Sequence, residues 1–372
     1  MIAPVLIWVV SLTLIALTLA PLIKTPKWYV RVWEFPRLQI AIGLAAAVAA
    51  QFAFLRMDAA GGALLAVSLA ALSWQVWQIH AYTPLNAFQS HPARGADPAS
   101  RVRLLIANVL QDNRNAEAFL NLIGRSDPDL VLAVETNGWW DAQLAALADR
   151  YPEAVRHPLE NTYGMHLFSR LKLRDADVQE RVTKGIPSIF AAVQLRSGRW
   201  FDLYCVHPEP PRPASDVEQR DAELLLVARE VKRRDRAAIV CGDLNDVAWS
   251  HTTRLFQRIS GLLDPRVGRG LYPTFHAKHR IARWPLDHVF HDTSFRLCRL
   301  EILDSFGSDH FPVLIELEHD PAAAGQQDEP APEPGDRAEA AEKIAEGRAA
   351  SAQAGESPGT SLRPTTHAQP RG

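Results

Sequence analysis

Residues 305 to 313 read SFGSDHFPV and set an acid and an imidazole, Asp309 and His310, at the entrance of the apolar run VLIELE. Other polar residues punctuate apolar runs in the same way. Asn108 interrupts LLIANVL, Glu135 ends PDLVLAVE, and His207 ends FDLYCVH. Asp243 and Asn245 follow AAIVCG, and Asp287 with His288 opens the run DHVF. Each alone has an ordinary explanation: GDLND is a good turn, and a histidine before proline can simply end an edge strand. Their joint occurrence, in order and always at a strand end, predicts convergence on one rim, in a cleft rich in carboxylates, amides and imidazoles.

That set of groups suits hydrolysis of a phosphate ester. Oxygen ligands such as Glu135 and the amide of Asn108 fit Mg²⁺, or Mn²⁺, which bind through few protein groups and keep several waters. A metal there would neutralise a phosphoryl oxygen and the departing oxyanion. A histidine held by a carboxylate, here His310 with Asp287, can carry a proton or donate in the transition state. Asp243 and Asn245 are placed to orient and deprotonate a water. No cysteine or multi-histidine zinc cage is present: Cys205, Cys241 and Cys298 lack metal-ligand spacing. The first two lie in apolar runs and read as small core residues. No disulfide framework is indicated, which favours a reducing compartment.

The elements that must position these residues follow from periodicity. Strands are expected at RLLIANVL, PDLVLAVE, YGMHLFSR, IFAAVQLRS, WFDLYCVH, AAIVCGD, LDHVFHD and FPVLIELE. Amphipathic helices are expected at RNAEAFLNLIGRSD, GWWDAQLAALADRY and ASDVEQRDAELLLVAREVKRRD, the last capped by Ser215 or Asp216. Strands and helices so interleaved predict an α/β (α+β) fold, a four-layer sandwich of two packed mixed β-sheets flanked by helices. Its span is 101–318, an ordinary size for one domain.

The rest of the 372-residue chain is of another character. Residues 1–80 contain three runs long and apolar enough to cross a bilayer: MIAPVLIWVVSLTLIALTLAPLI, LQIAIGLAAAVAAQFAFL and GGALLAVSLAALSWQVWQI. Lacking a basic leader and followed by two similar runs, the first reads as a retained helix rather than a signal peptide. The first loop holds Lys24, Lys27, Arg31 and Arg37. The positive-inside rule therefore puts it, and after three crossings the large domain, on the cytoplasmic side of a plasma membrane. Residues 81–100 read as a linker. From 319 to 372 large apolar residues almost vanish, which predicts disorder with at most a short helix near 336–350. A formal net charge of −2 supplies no global basic field for nucleic acid.

The series NVLQDN, PDLVLAVE, YGMHLFSR, CVHPEPP, AAIVCGDLND, LYPTF, PLDHVF and GSDHFPV resembles the motifs of the endonuclease/exonuclease/phosphatase (DNase-I-like) superfamily over 101–318. The apolar segments before it and the HPEPP step are similar to a bacterial membrane-anchored subgroup. The resemblance implies that Asn108 and Glu135 hold the metal with Asp309 close by. It implies that His207 contacts the scissile phosphate, that Asp243 and Asn245 place the water, and that His310, paired with Asp287, is base or transition-state stabiliser. Phe275 stands where related proteins commonly have Trp. The following loop brings His276, Lys278, His279, Arg280 and Arg283, of which Lys278, Arg280 and Arg283 are candidates to grip substrate phosphates. Arg220, on the helix after residue 215, reads as facing water. Substrates of two kinds stay open, nucleic acid and a phospholipid or inositol-type head group. The competing reading is a catalytically silent membrane scaffold. The bilayer and the phosphate ester are the partners implied, and nothing marks an obligate protein partner.

Overall fold

The computed structural model describes residues 2–23, 25–95, 97–211 and 216–355. Lys24, Ser215 and the tail beyond 355 lie outside the described residues. The chain divides into two compact units. One comprises Met1–Ala87, Pro211–Val217 and Val267–Gly270; the other comprises Phe88–Pro210, Glu218–Arg266 and Leu271–Gly372.

The first unit is built on three long helices, α1 (Ile2–Leu19), α3 (Arg37–Phe54) and α4 (Ala59–Ile79), with a single turn, α2 (Trp28–Arg31), between the first two. The three stretches Ile2–Leu22, Arg37–Phe54 and Ala59–Tyr82 are each long and apolar enough to cross a membrane. Their contact faces pack Ile15, Ile40, Leu44, Leu64 and Ala71, while Val5, Leu6, Val9, Ile42, Phe52 and Trp77 point outward. A buried polar seam ties the helices. Gln51 Nε2 donates to Ser11 Oγ at 2.8 Å and to Ser68 Oγ at 2.9 Å, and Gln75 Nε2 donates to Thr18 Oγ1 at 3.0 Å. Side-chain bonds of this kind hold helices together where apolar packing alone gives no preference over lipid. Arg31 pairs with Glu34 at 3.0 Å. Asp216 accepts from Lys27 Nζ at 2.6 Å and from the Trp28 amide at 3.0 Å.

The second unit is a two-sheet sandwich. The first sheet has strand order β10-β11-β1-β2-β4-β3 and the second β5-β6-β7-β8-β9. Its strands are β1 (Arg101–Asn108), β2 (Leu130–Val134), β3 (Glu153–His157), β4 (Met165–Ser169), β5 (Lys172–Gln179), β6 (Ser188–Gln194), β7 (Trp200–Cys205), β8 (Ala238–Asp243), β9 (Asp287–His291), β10 (Phe295–Ile302) and β11 (Val313–His319). Each sheet has a parallel pair at its centre, β1 with β2 and β7 with β8, and antiparallel neighbours outside. The parallel pairs need crossovers. These are the helices α5 (Ala116–Ser126) and α7 (Glu218–Arg234).

Alternation along the strands builds the layers. Leu104, Ile106, Leu132 and Val134 face the other sheet and meet Ala191, Leu203, Cys205, Ile239 and Cys241. Their neighbours Leu105, Ala107, Val131 and Ala133 face outward onto Phe119, Ile123 and Trp140 of α5 and α6 (Gly138–Leu144). On the second sheet Tyr204, Val240 and Phe290 pack under Leu224, Val227 and Ala228 of α7 and Phe256 of α8 (His251–Ser260). This is the four-layer arrangement expected.

Two segments differ from expectation. From His91 on, the supposed linker pairs with β10: Leu297 N donates to His91 O at 3.0 Å and Ala93 N to Leu297 O at 2.8 Å. The region after 319 is ordered as far as it is described, ending in α9 (Asp336–Gln353). Small residues explain how so polar a helix docks. Ala340, Ile344, Gly347 and Ser351 recur on one buried face. A Cβ on Gly347 would stand 2.4 Å from both the Ala222 Cβ and the Glu218 carbonyl oxygen, so glycine permits the closest approach to α7. Arg258 with Asp336 (2.9 Å) and Lys232 with Glu329 (2.6 Å) hold the docked segment.

Candidate active site

The strand ends converge as anticipated. Asn108 closes β1, Glu135 follows β2, His207 lies two residues past β7, Asp243 closes β8 and Asp287 opens β9. The amide nitrogen of Asn108 bridges two carboxylates, at 2.7 Å from Glu135 Oε1 and 3.0 Å from Asp243 Oδ2. Its oxygen accepts from the Leu110 amide at 2.9 Å. Because β1 and β8 belong to different sheets, the Asn108–Asp243 bond spans the sandwich.

Glu135 has φ of 63°, a conformation that costs energy for a residue with a Cβ and is kept where surroundings enforce it. The enforcement is visible. Thr136 N donates to Gly164 O at 3.0 Å, Leu159 N donates to Thr136 O at 3.1 Å, and a Cβ on Gly164 would meet the Thr136 oxygen at 1.8 Å. Burial pushes the Glu135 carboxyl up to about 7, with Asp243 adding to the rise and the Asn108 bond opposing it.

On the second sheet Asp243 Oδ1 accepts from the Asn245 amide at 3.0 Å, while Oδ2 lies 3.8 Å from His207 Nε2 and 3.5 Å from His310 Nε2. Asn245, at φ 51°, donates its side-chain amide to Pro208 O at 2.9 Å. His310 Nδ1 bonds Asp287 Oδ2 at 2.8 Å. Burial works against the imidazolium of His310, but Asp287 and Asp243 outweigh it and raise the group to about 10. Burial lowers the pKa of His207, whose ring is tilted against Tyr163 at 5.5 Å. Asp287 faces Asp243 directly in the β8–β9 register, and Thr274 Oγ1 accepts from the Asp287 amide at 3.2 Å.

Ser308 answers why a serine precedes the acid–imidazole pair. Its hydroxyl donates to Asn108 O at 2.7 Å and accepts from the His310 amide at 3.0 Å, tying the loop before β11 to the end of β1. Asp309 is half-buried, and its Oδ1 has no hydrogen-bond partner among the described residues. The same holds for Asp287 Oδ1.

The residues fit a divalent cation. Buried carboxylate oxygens without donors, and several acids acting on one imidazole, call for positive charge that hard oxygen donors can hold. Atoms of Asp243, Asp287 and His310 lie within 4.8 Å of one another. Glu135 adds a further carboxylate beside this cluster, joined to Asp243 through the Asn108 amide.

The basic loop adjoins this centre. Ala277 N donates to Asp309 O at 2.6 Å, and the Phe275 ring lies 4.9 Å from that of His310, in the place held by the aromatic of the LYPTF motif. Arg283 is spent on the loop itself. Its Nε donates to His279 O at 2.5 Å, another guanidinium nitrogen reaches Ala277 O at 3.3 Å, and the group covers the Phe311 ring. Lys278 and Arg280 are exposed, and no contact joins them to the central residues among the described residues.

Arg220, expected to face water, is 1% exposed. It donates to Asn245 O at 3.0 Å and to Asp221 Oδ1 at 2.8 Å, directly behind the turn that carries Asp243 and Asn245. It lies in the first turn of α7 beside the buried Asp221 and Ala222.

With this geometry in place, the comparisons are plain. The family model for the Endonuclease/Exonuclease/phosphatase family matches residues 105–310, more than half of the chain. The chain belongs to that family, and it is a phosphoesterase hydrolase of a family that depends on a divalent metal. Among solved structures, humanized D. rerio TDP2 with 14 mutations is similar at 17% identity and TM-score 0.51, over 59% of this chain and 99% of that one. D. rerio TDP2 complexed with single-strand DNA product gives 17% identity and TM-score 0.50, over 59% and 99%. An endonuclease/exonuclease/phosphatase from Bacteroides vulgatus gives 18% identity and TM-score 0.49, over 59% and 99%. At these identities the likeness to the two TDP2 structures is one of fold. No curated protein matches the chain.

Proposed function

We propose that the chain is a multi-pass, membrane-anchored Mg²⁺-dependent phosphoesterase whose substrate carries its phosphate ester on a phospholipid or inositol-type head group. The observation that carries the hydrolytic reading is the His310–Asp287 bond at 2.8 Å with Asp243 3.5 Å from the other imidazole nitrogen, beside the Glu135–Asn108 pair.

In this reading Glu135 and Asn108, with Asp309 near, hold the cation. When bound it neutralises charge on the phosphoryl and departing oxygens. Asp243 and Asn245 orient the attacking water, with Asp243 taking its proton. His310, its Nδ1 fixed by Asp287, presents Nε2 toward the reacting phosphate, and His207 contacts a phosphoryl oxygen from the neighbouring strand end. Preorganised donors of this kind act most strongly where water is excluded. Lys278 and Arg280 are the loop cations left to meet substrate phosphates.

Three apolar helices with outward-facing aliphatic and aromatic side chains favour the lipid choice. The net charge of −2 disfavours long duplexes, whose binding relies on many basic contacts. The basic first loop favours a domain on the cytoplasmic side of a bacterial-type inner membrane.

The test is turnover by the full chain in nanodiscs, with Mg²⁺, Mn²⁺ or chelator. Substrates would be a generic phosphodiester, a phosphomonoester, a phosphoinositide and single-stranded DNA. Metal-dependent release of a soluble head group, absent in Asp243→Ala and His310→Ala, supports the proposal. Turnover of DNA alone transfers the chain to the nuclease reading. No turnover and no metal binding by a folded protein leaves the scaffold.

A further inference from the structure

The tail helix α9 lies outside the family-matched residues 105–310, yet one of its side chains enters the buried network behind the catalytic loop. Lys343 Nζ donates to Asp221 Oδ2 at 2.9 Å. The same oxygen accepts from Thr252 Oγ1 at 2.6 Å, and Asp221 Oδ1 accepts from Arg220. Arg220 in turn donates to the carbonyl of Asn245 at 3.0 Å and lies 3.4 Å from Asp246 Oδ2. Asp246 accepts from Ser250 Oγ at 2.5 Å, at the N-cap of α8. Asp221, Arg220 and Asp246 are each no more than 1% exposed.

Among the described residues these contacts join two cations, Lys343 and Arg220, to two carboxylates, Asp221 and Asp246. Without Lys343, Asp221 loses the ammonium on its Oδ2 and leans more heavily on the Arg220 guanidinium, which it shares with Asp246. That guanidinium also holds a backbone carbonyl in the left-handed conformation of Asn245. A buried acid deprived of a cation draws its remaining partner toward itself, because unpaired charge in the interior is costly. The position of Arg220, and through it of the 243–246 turn, then depends on Lys343.

We propose that Lys343 is a positioning residue for the water-placing turn, acting through Asp221 and Arg220 on Asn245. The proposal rests on the role assigned above to Asp243 and Asn245. Displacing a group that orients a reactant by a fraction of an ångström costs turnover more than binding.

The test uses the full chain in nanodiscs, comparing wild type with Lys343→Ala, Lys343→Arg and Arg258→Ala. The last loosens α9 at its other end without touching the network. Two readouts are taken: kcat and KM on a generic phosphodiester, and amide hydrogen exchange of the peptide covering 243–250. Lys343→Ala is expected to lower kcat about tenfold at nearly constant KM and to speed exchange of that peptide. Lys343→Arg is expected to restore both, and Arg258→Ala to leave both near wild type. Unchanged kcat and exchange in Lys343→Ala overturn the proposal. Equal effects in Arg258→Ala also overturn it, because docking of the helix as a whole would then be the cause. Should wild type hydrolyse nothing, the functional reading fails while the exchange data still decide whether Lys343 holds the turn.

Discussion

His310 and Asp287 meet through an Nδ1···Oδ2 contact of 2.8 Å, and this contact fixes which imidazole nitrogen is available for chemistry. Nδ1 donates to the acid, which leaves Nε2 on the side of Asp243. Asp287→Asn keeps the shape but can present a donor where the ring needs an acceptor. We expect kcat to fall by roughly 10²–10⁴ with little change in folding. Steady-state kinetics beside circular dichroism would check this, and a loss below tenfold would remove His310–Asp287 from the mechanism.

Glu135→Gln should weaken divalent-metal binding at least tenfold, since a neutral amide replaces a charged oxygen ligand in a buried place. Calorimetric titration with Mn²⁺ measures this without relying on turnover. Equal affinity in the variant would move the cation toward Asp243 and Asp287.

At Gly347 any side chain must push α9 away from α7. Gly347→Ala is therefore expected to destabilise the second unit by about 1–3 kcal/mol. Limited proteolysis within 326–353 and a lowered Tm would register it, and an unchanged protease pattern would argue against the tight contact.

The Arg258–Asp336 pair predicts how α9 responds to acid. The Arg258 hydrogen bond holds the Asp336 carboxyl below the usual range. A depressed carboxylate contributes stability above its unfolded value, and that contribution is lost as pH falls through the folded one. Docking of α9 should thus be constant at neutral pH and loosen below about pH 4. Hydrogen exchange of the 336–353 peptide between pH 3 and 7, corrected for intrinsic rates, measures it. Asp336→Asn should show the loosened state at every pH.

In the helical unit, Gln51 binds Ser11 and Ser68 at once. Gln51→Leu should weaken helix association by about 0.6–1.7 kcal/mol. Steric trapping or SDS titration of the reconstituted protein would show it, and a gain in stability would mean that packing, not the polar seam, sets the arrangement.

Much of the sandwich could be read directly from the chain because its inner strands are unbroken apolar runs with a polar residue at the end that reaches the rim. Asn108, Glu135, His207, Asp243, Asp287 and His310 come together at one rim for that reason. The strands β3, β5 and β10 could not be read this way. They are edge strands, and β5 reads KLRDADVQ, in which charge on the solvent side overrides the apolar signal. The helix α9 falls where a short helix near 336–350 is expected, but its docking is not legible, because its buried face is Ala340, Gly347 and Ser351 around one Ile344, residues whose contribution comes from close approach rather than hydrophobic area. The burial of Arg220 is not legible, because a lone arginine near a helix start gives no sign of the acids that gather around it after folding.

The bond from Asn108 on β1 to Asp243 on β8 has a mechanical meaning. Half of the rim is carried by one sheet and half by the other, so the geometry of the cleft depends on how the two sheets are aligned. Ile106, Cys205 and Cys241, deep in the interface between the sheets, are remote in role from any reacting atom. Added volume there forces backbone shifts between the sheets and so reaches the rim. Kinetics in such variants would report on sheet alignment before global stability does.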